Sequence, residues 1–201
     1  MSQAPGAQSC GGTEVTLLTP TASDTEAVLA MLVRCSRASL FHRFHGLTDG
    51  VAYFEALLRD RPLDQTLLAC CGSACLGVAD LAVRATGTLD LGVLVEDAWQ
   101  RRGIGTRLAA SLLDNARANG ATTAHADVLG DNRFILQALR RIGPLTVSID
   151  SGMLSIDIDL CCQPGRPAGI VLPVGVRHCD WRRGSSRVAV RDPGRHSRAR
   201  P

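Results

Sequence analysis

Apolar positions along this chain fall into short alternating or continuous runs broken by Gly, Pro, Ser and Asp, and four stretches switch to helical spacing. Residues 14–18 read as a strand that Thr19-Pro20 stops. Ser23 or Asp24 caps a helix with Glu26 in its first turn and a stripe of Val28, Leu29, Leu32 and Val33. Residues 39–46 are mixed in character and predict no element, and a second helix covers about 49–58. Strands follow at 66–70, 74–83 and 89–95, the last two joined as a hairpin through Thr86-Gly87. A helix over 104–119 carries Ile104, Leu108, Leu112 and Ala116 on one stripe and ends at Gly120. A strand at 123–129, a helix at 132–141 ended by Gly143-Pro144, and a strand pair at 145–149 and 153–160 complete the pattern. That last pair turns at Asp150-Ser151-Gly152, with Leu154, Ile156, Ile158 and Leu160 on one face and Ser155, Asp157 and Asp159 on the other.

Past residue 160 the periodicity is lost. The chain divides into a flexible stretch at 1–12, one domain at 13–160 and an Arg-, Gly- and Pro-rich tail at 161–201, mostly disordered, with a short strand candidate at Ile170-Val171-Leu172. Charge follows the same boundary. Residues 1–160 hold 13 Arg against 17 acids, a net of −4, and residues 161–201 hold 9 Arg against 2 acids, a net of +7. The tail lacks interleaved aromatics apart from Trp181, so a nucleic-acid partner is not expected. All 22 basic side chains are Arg, which excludes a catalytic or phosphate-binding Lys in this chain. No run reaches the roughly 18 apolar residues of a membrane span, and residues 1–12 do not read as a signal peptide, so a cytoplasmic location is expected. The eight Cys should then stay reduced, and the adjacent pairs Cys70-Cys71 and Cys161-Cys162 lack the spacing of a zinc knuckle. No metal is expected.

The stretch from Leu89 to Thr106 carries the chemistry. A strand enters a turn with two Gly, and the turn opens a helix. The first N–H groups of a helix have no internal partners and sit at the positive end of its dipole. Gly103 and Gly105 let the backbone approach a phosphate without a Cβ, and Arg101 and Arg102 add positive charge. Together they describe a pyrophosphate site. There is no Gly-Lys-Ser/Thr of a P-loop, and the third Gly of the dinucleotide fingerprint would fall at Leu108.

Gln100-Arg101-Arg102-Gly103-Ile104-Gly105 resembles the Gln/Arg-x-x-Gly-x-Gly/Ala motif of the GNAT superfamily of N-acetyltransferases, and the element order over 13–160 is similar too. Residues 39–46, the Asp90 strand, Asp131-Asn132 and the final strand from Gly152 also resemble the acetyltransferase domain of bacterial Pat-type protein lysine acetyltransferases. The resemblance implies an α/β (α+β) fold: a mixed, mostly antiparallel sheet flanked by helices, with a splayed strand pair at the CoA site. It implies acetyl-CoA as cosubstrate and an amine acceptor, small molecule or protein lysine, attacking the thioester directly. Val93, Leu94 and Val95 would pair with the pantetheine arm, and a backbone N–H near Leu94 would hold the oxyanion. Gln100, Arg101, Arg102, Gly103, Ile104, Gly105 and Thr106 would hold the pyrophosphate, and Asn132 would contact the CoA arm. Asp90 is the candidate general base, Asp80 the next, and His42 and His45 follow. The Tyr that many relatives use as general acid is replaced here by Leu139, and the chain's one Tyr is Tyr53. That departure keeps a second reading open, a catalytically weak acyl-CoA-binding regulatory or interaction module.

Overall fold

Strand follows strand until a single helix must cross the sheet, and that crossing sets the architecture. The computed structural model describes residues 9–10, 13–60, 65–84, 88–130, 132–161 and 190–191. Its strands are β1 (Ser9–Cys10), β2 (Thr13–Leu18), β3 (Thr66–Cys71), β4 (Ala74–Val83), β5 (Leu89–Val95), β6 (Thr123–Leu129), β7 (Leu145–Asp150), β8 (Met153–Asp159) and β9 (Val190–Arg191). Its helices are α1 (Thr25–Arg34), α2 (Arg37–Phe44), α3 (Val51–Asp60), α4 (Ile104–Ala118) and α5 (Arg133–Leu139). The sheet order is β1-β2-β3-β4-β5-β6-β8-β7-β9. Strands β2 through β8 supply its seven-stranded body, antiparallel except where β5 lies parallel to β6. Helix α4 is the crossover that a parallel pair requires. The expected Thr86-Gly87 turn, Asp131 and Ile170-Val171-Leu172 lie outside the described residues. Of residues 162–201 only β9 is described, parallel to β7.

Each sheet face buries its own cluster. Ile104, Leu108, Leu112 and Leu113 of α4 pack with Leu139 of α5 on one face. Val28, Met31 and Leu32 of α1, Leu40 of α2 and Phe54 and Leu57 of α3 pack on the other, against Leu68, Val78 and Leu94. The α1 stripe therefore runs through Met31 and not through Val33, which is 86% exposed. Cys70, Cys71 and Cys75 are buried in the core as small side chains. The β7–β8 turn has positive φ at both Ser151 and Gly152, the two-residue geometry that suits strand twist. Gly120, with φ +89, follows α4 as expected.

Two local features aim the end of β5. Ala69 pairs with Gly77 and Cys70 with Cys75, so Leu76 is an extra residue bulging from β4. Its carbonyl accepts from the Glu96 N–H just beyond β5. The second feature is α2, which the apolar pattern did not predict. Among its residues with described burial only Leu40 is buried; polar contacts hold the helix in place. Ser36 caps it, accepting from the Ser39 N–H. Asp97, just past β5, accepts from the Ser36 N–H at 2.8 Å, the Ser36 hydroxyl at 2.7 Å and the Ser39 hydroxyl at 3.0 Å. Burial works against the Asp97 charge, but these bonds hold its carboxyl below the ordinary range.

Asp97→Ala should therefore free the start of α2 and cost about 1–2 kcal/mol, the worth of charged-acceptor cap bonds. Urea unfolding should show a lower midpoint at unchanged slope. An unchanged midpoint would mean that α2 is placed by packing alone.

Candidate active site

Strand β5 pairs with β4 along its full length, from Leu89 to Val95. With β6 it pairs only at Leu89↔Ala124 and Asp90↔His125. Beyond Asp90 the two parallel strands diverge, as expected for the 89–95 and 123–129 strands. The β6-facing edge of residues 91–95 is left without a strand partner. A cavity of about 250 Å³ opens there. Its walls include Asp90 to Val93 of β5, Ala126 to Val128 of β6, His42 to His45 from the end of α2, and Asn132, Ile135 and Leu139 from α5.

The glycine turn before α4 is built differently from its sequence reading in two respects. Arg101 and Gly103 both take positive φ, +59° and +77°, and Gly103 is the residue before α4. The first helical bond runs from the Arg107 N–H to the Gly103 carbonyl, so the amides of Ile104, Gly105 and Thr106 precede the helical ladder. Ile104 buries its side chain in the core, presenting backbone only. A Cβ on Gly105, however, would meet Val93 Cγ1 and Val95 Cγ2 at 3.5 Å. Gly105 thus faces β5, where a Cβ would make ordinary contacts; Gly103 has the conformation that needs glycine. Gln100 also serves within the protein. Its amide donates to the Val95 carbonyl at 3.0 Å and to the Ser39 hydroxyl at 2.9 Å, tying turn, strand and α2 together. Arg102 stacks on Trp99 at 4.6 Å.

Of the four candidate bases, His42 and His45 line the cavity from the end of α2, and the two carboxylates have different surroundings. Asp80 is 1% exposed and absent from the cavity wall. Arg43 donates to its Oδ1 at 2.6 Å, and the Tyr53 hydroxyl donates to its Oδ2. Asp80 is a counter-ion, with both oxygens taken. Burial first, and Asp80 next, push the Tyr53 hydroxyl up to about 12. The Arg43 guanidinium crosses Gly92, where a Cβ would stand 2.0 Å from its Nη2. Gly92 is therefore what lets Arg43 roof β5. Asp90 lies at the last β5–β6 backbone pair, on the cavity wall, with its side chain 36% exposed.

A second polar cluster, which sequence reasoning missed, adjoins Asp90. Arg84, just past β4, donates to Asp90 Oδ1 at 3.1 Å and to Asp127 Oδ2 at 2.8 Å. His125 places Nε2 2.9 Å from Asp127 Oδ1 and Nδ1 2.8 Å from Asp157 Oδ1. The Ser155 hydroxyl donates to Asp127 Oδ1 at 2.8 Å. Burial pushes the Asp127 carboxyl up, but Ser155, Arg84 and His125 outweigh it and hold it at about 2. Burial likewise opposes charge on His125, and the bonds to Asp157 and Asp127 outweigh it, raising its pKa above 6.5. The available signal was alternation: His125 and Asp127 share a face of β6, and Ser155 and Asp157 share one of β8. One polar atom from each of Asp90, His125 and Asp127 lies within 4.8 Å of the others, a spacing that suits a cation, and Arg84 brings positive charge there.

Because its folded pKa is raised, the stability His125 contributes is complete below about pH 6.5 and is lost as pH rises through the folded value. His125→Gln should therefore lower the melting temperature more at pH 6 than at pH 9. A deficit that stays constant over that range would show that His125 is neutral in the fold.

The comparisons with known proteins agree with this geometry. The profile of the acetyltransferase (GNAT) family matches residues 30–143, more than half of the chain. No curated protein matches the chain by sequence. The GNAT domain of S. lividans PAT is similar in structure, at 20% identity and a TM-score of 0.65, over 74% of this chain and 92% of that one. So is yncA, a putative acetyltransferase from Salmonella typhimurium solved with acetyl-CoA, at 19% and 0.57 over 77% and 99%. The diaminobutyrate acetyltransferase EctA from Paenibacillus lautus, solved with L-2,4-diaminobutyric acid and coenzyme A, gives 21% and 0.58 over 77% and 100%. At these identities the likeness shows the fold. The family match over residues 30–143, joined to the strand splay beside a glycine turn at a helix start, places this chain in the GNAT acetyltransferase family.

Proposed function

We propose that the chain transfers an acetyl group from acetyl-CoA to an amine, small molecule or protein lysine, by direct attack of the amine on the thioester. The observation that carries this reading is the cavity where β5 and β6 part, a strand's length from the start of α4. The chain's residues fit the cosubstrate. The amides of Ile104 to Thr106 precede the helical ladder and suit a pyrophosphate. The unpaired β5 edge at Val93 and Leu94 suits an extended pantetheine arm, as an added strand would. Asn132 starts α5 with no side-chain cap bond and faces the cavity.

An alkylammonium with a pKa of about 10.4 cannot attack until it loses a proton. Asp90, a part-exposed carboxylate on the cavity wall, is the acceptor for that proton, directly or through a water, while Asp80 is sealed under Arg43. The amine nitrogen bonds to the carbonyl carbon and gives its second proton to solvent, the carbon–sulfur bond breaks, and CoA leaves as thiol or thiolate. Leu139, fully buried on the cavity wall, stands where the resemblance leads to a Tyr, so that position supplies no proton and water suffices for the leaving sulfur. This same residue is what favours a second reading, an acyl-CoA-binding module that turns over weakly. Residues 13–160 form the catalytic unit in either case, with 161–201 a dispensable tail, and the protein works in the cytoplasm.

Acetyl-CoA should raise the melting temperature, as a ligand of the native state does. Gly103→Val should lose that rise, because a β-branched residue resists a φ of +77°. Gly105→Ala should keep it, because its Cβ makes ordinary contacts. A Gly103→Val protein that binds acetyl-CoA like the parent would misplace the site.

Asp90→Asn should lower kcat by roughly 10²–10⁴-fold while acetyl-CoA affinity stays the same. The assay is CoA release over a panel of amines across pH. Parental kcat in this variant would remove Asp90 from the mechanism. Acetyl-CoA binding with no CoA release from the parent would favour the binding-module reading.

A further inference from the structure

Arg84 holds a position that the reaction itself calls for. Its guanidinium bridges Asp90 on β5, in the last backbone pair between those strands, and Asp127 on β6, two residues beyond it. Both carboxylates line the cavity, whereas Arg84 reaches them from outside it with its side chain 40% exposed. We propose that the space between Asp90 and Asp127 is the subsite for the acceptor's ammonium group, and that Arg84 is a resident competitor which the acceptor displaces. The proposal rests on the acetyl-transfer reading above and names the charge its acceptor carries.

The bonding of Asp127 supports this. Its Oδ1 is filled from within the fold, by Ser155 and His125, and the His125 ring is in turn held by Asp157. Its Oδ2 is aimed at Arg84. The fold thus fixes one oxygen of an ionised carboxylate and offers the other to a cation. Asp90 meets the same guanidinium through Oδ1. With polar atoms of the two carboxylates within 4.8 Å of each other, one ammonium nitrogen can donate to both at ordinary hydrogen-bond lengths. An exposed ion pair contributes little, so a substrate cation can take this one's place at small cost. The geometry also gives a way out. Acetylation turns the ammonium into a neutral amide, with its lost proton passed through Asp90 to solvent. The amide has no charge with which to compete, and Arg84 returns to both carboxylates as product leaves.

The test compares Arg84→Gln and Asp127→Asn with the full-length parent. Propylammonium chloride is titrated while the His125 ring signals are followed by NMR, with sodium chloride and neutral N-propylacetamide as controls. Acetyl-CoA affinity is measured alongside by calorimetry. Arg84→Gln should bind propylammonium about two- to fivefold more tightly, the range an exposed ion pair supports, and lower the acceptor KM by a similar factor. Asp127→Asn should lose the response. N-Propylacetamide should give none, and acetyl-CoA affinity should hold in both variants. Unchanged or weaker propylammonium binding in Arg84→Gln would overturn the proposal, making Arg84 a brace between the strands. A parent that binds propylammonium as described yet acetylates no amine would sink the transfer reading and leave the subsite standing.

Discussion

Two backbone pairs join β5 to β6, and then the strands part. The site depends on that early end to the ladder. A parallel sheet continued past Asp90 would satisfy the edge of residues 91–95 and close the cavity. The parting must be maintained against the tendency of buried backbone groups to pair. Material on both faces maintains it. On one, α4 packs Ile104 and Leu108 into one buried cluster with Leu91 and Val95 of β5. On the other, α2 lays Arg43 across Gly92. Apolar packing thus sets one approach to the strand and Gly92 opens the other, and the Leu76 bulge steers its end.

The α2 approach is largely electrostatic. Arg43 with its side chain 14% exposed and Asp80 at 1% form a buried ion pair, and Tyr53 completes it. Burying two charges is costly, and such a pair is weak evidence for stability; removing one partner costs far more than the pair gains. Its value is in position. The pair commits Arg43 to one place over β5, while Asp97 commits the other end of α2. A helix of eight residues would not hold its place through propensity alone.

This explains what the sequence could show and what it could not. Strands β2 to β8, α4 and the glycine turn were readable because apolar periodicity and turn residues are local signals; β1 and β9 fall in segments without such a signal. Helix α2 was not, since its anchors are Asp97 and Asp80, about 60 and 40 residues from Ser36 and Arg43 and on other elements. Asp90 became a candidate through the resemblance, and its place at the last β5–β6 pair is a matter of register. His125, Asp127, Ser155 and Asp157 were visible as polar faces of two strands, but their meeting depends on the β6–β8 register, which alternation does not specify. Gly105 was assigned the right neighbourhood and the wrong direction: a helix start tells that amides are free, not which way each Cα–H points.

The difference between Asp80 and Asp90 follows from the same register. Asp80 pairs across the ladder with Gly92, and Asp90 with Ala82. A glycine opposite Asp80 leaves room for a guanidinium to descend onto the carboxylate, and α2 supplies one. Asp90 lies one pair of residues nearer the start of β5, beyond the reach of that roof, where the strand edge meets solvent and the cavity together. The carboxylate under cover becomes a fixed counter-ion with both oxygens satisfied. The one at the edge keeps an exchangeable partner in Arg84, and an acid–base group must be able to exchange partners to take up and release a proton.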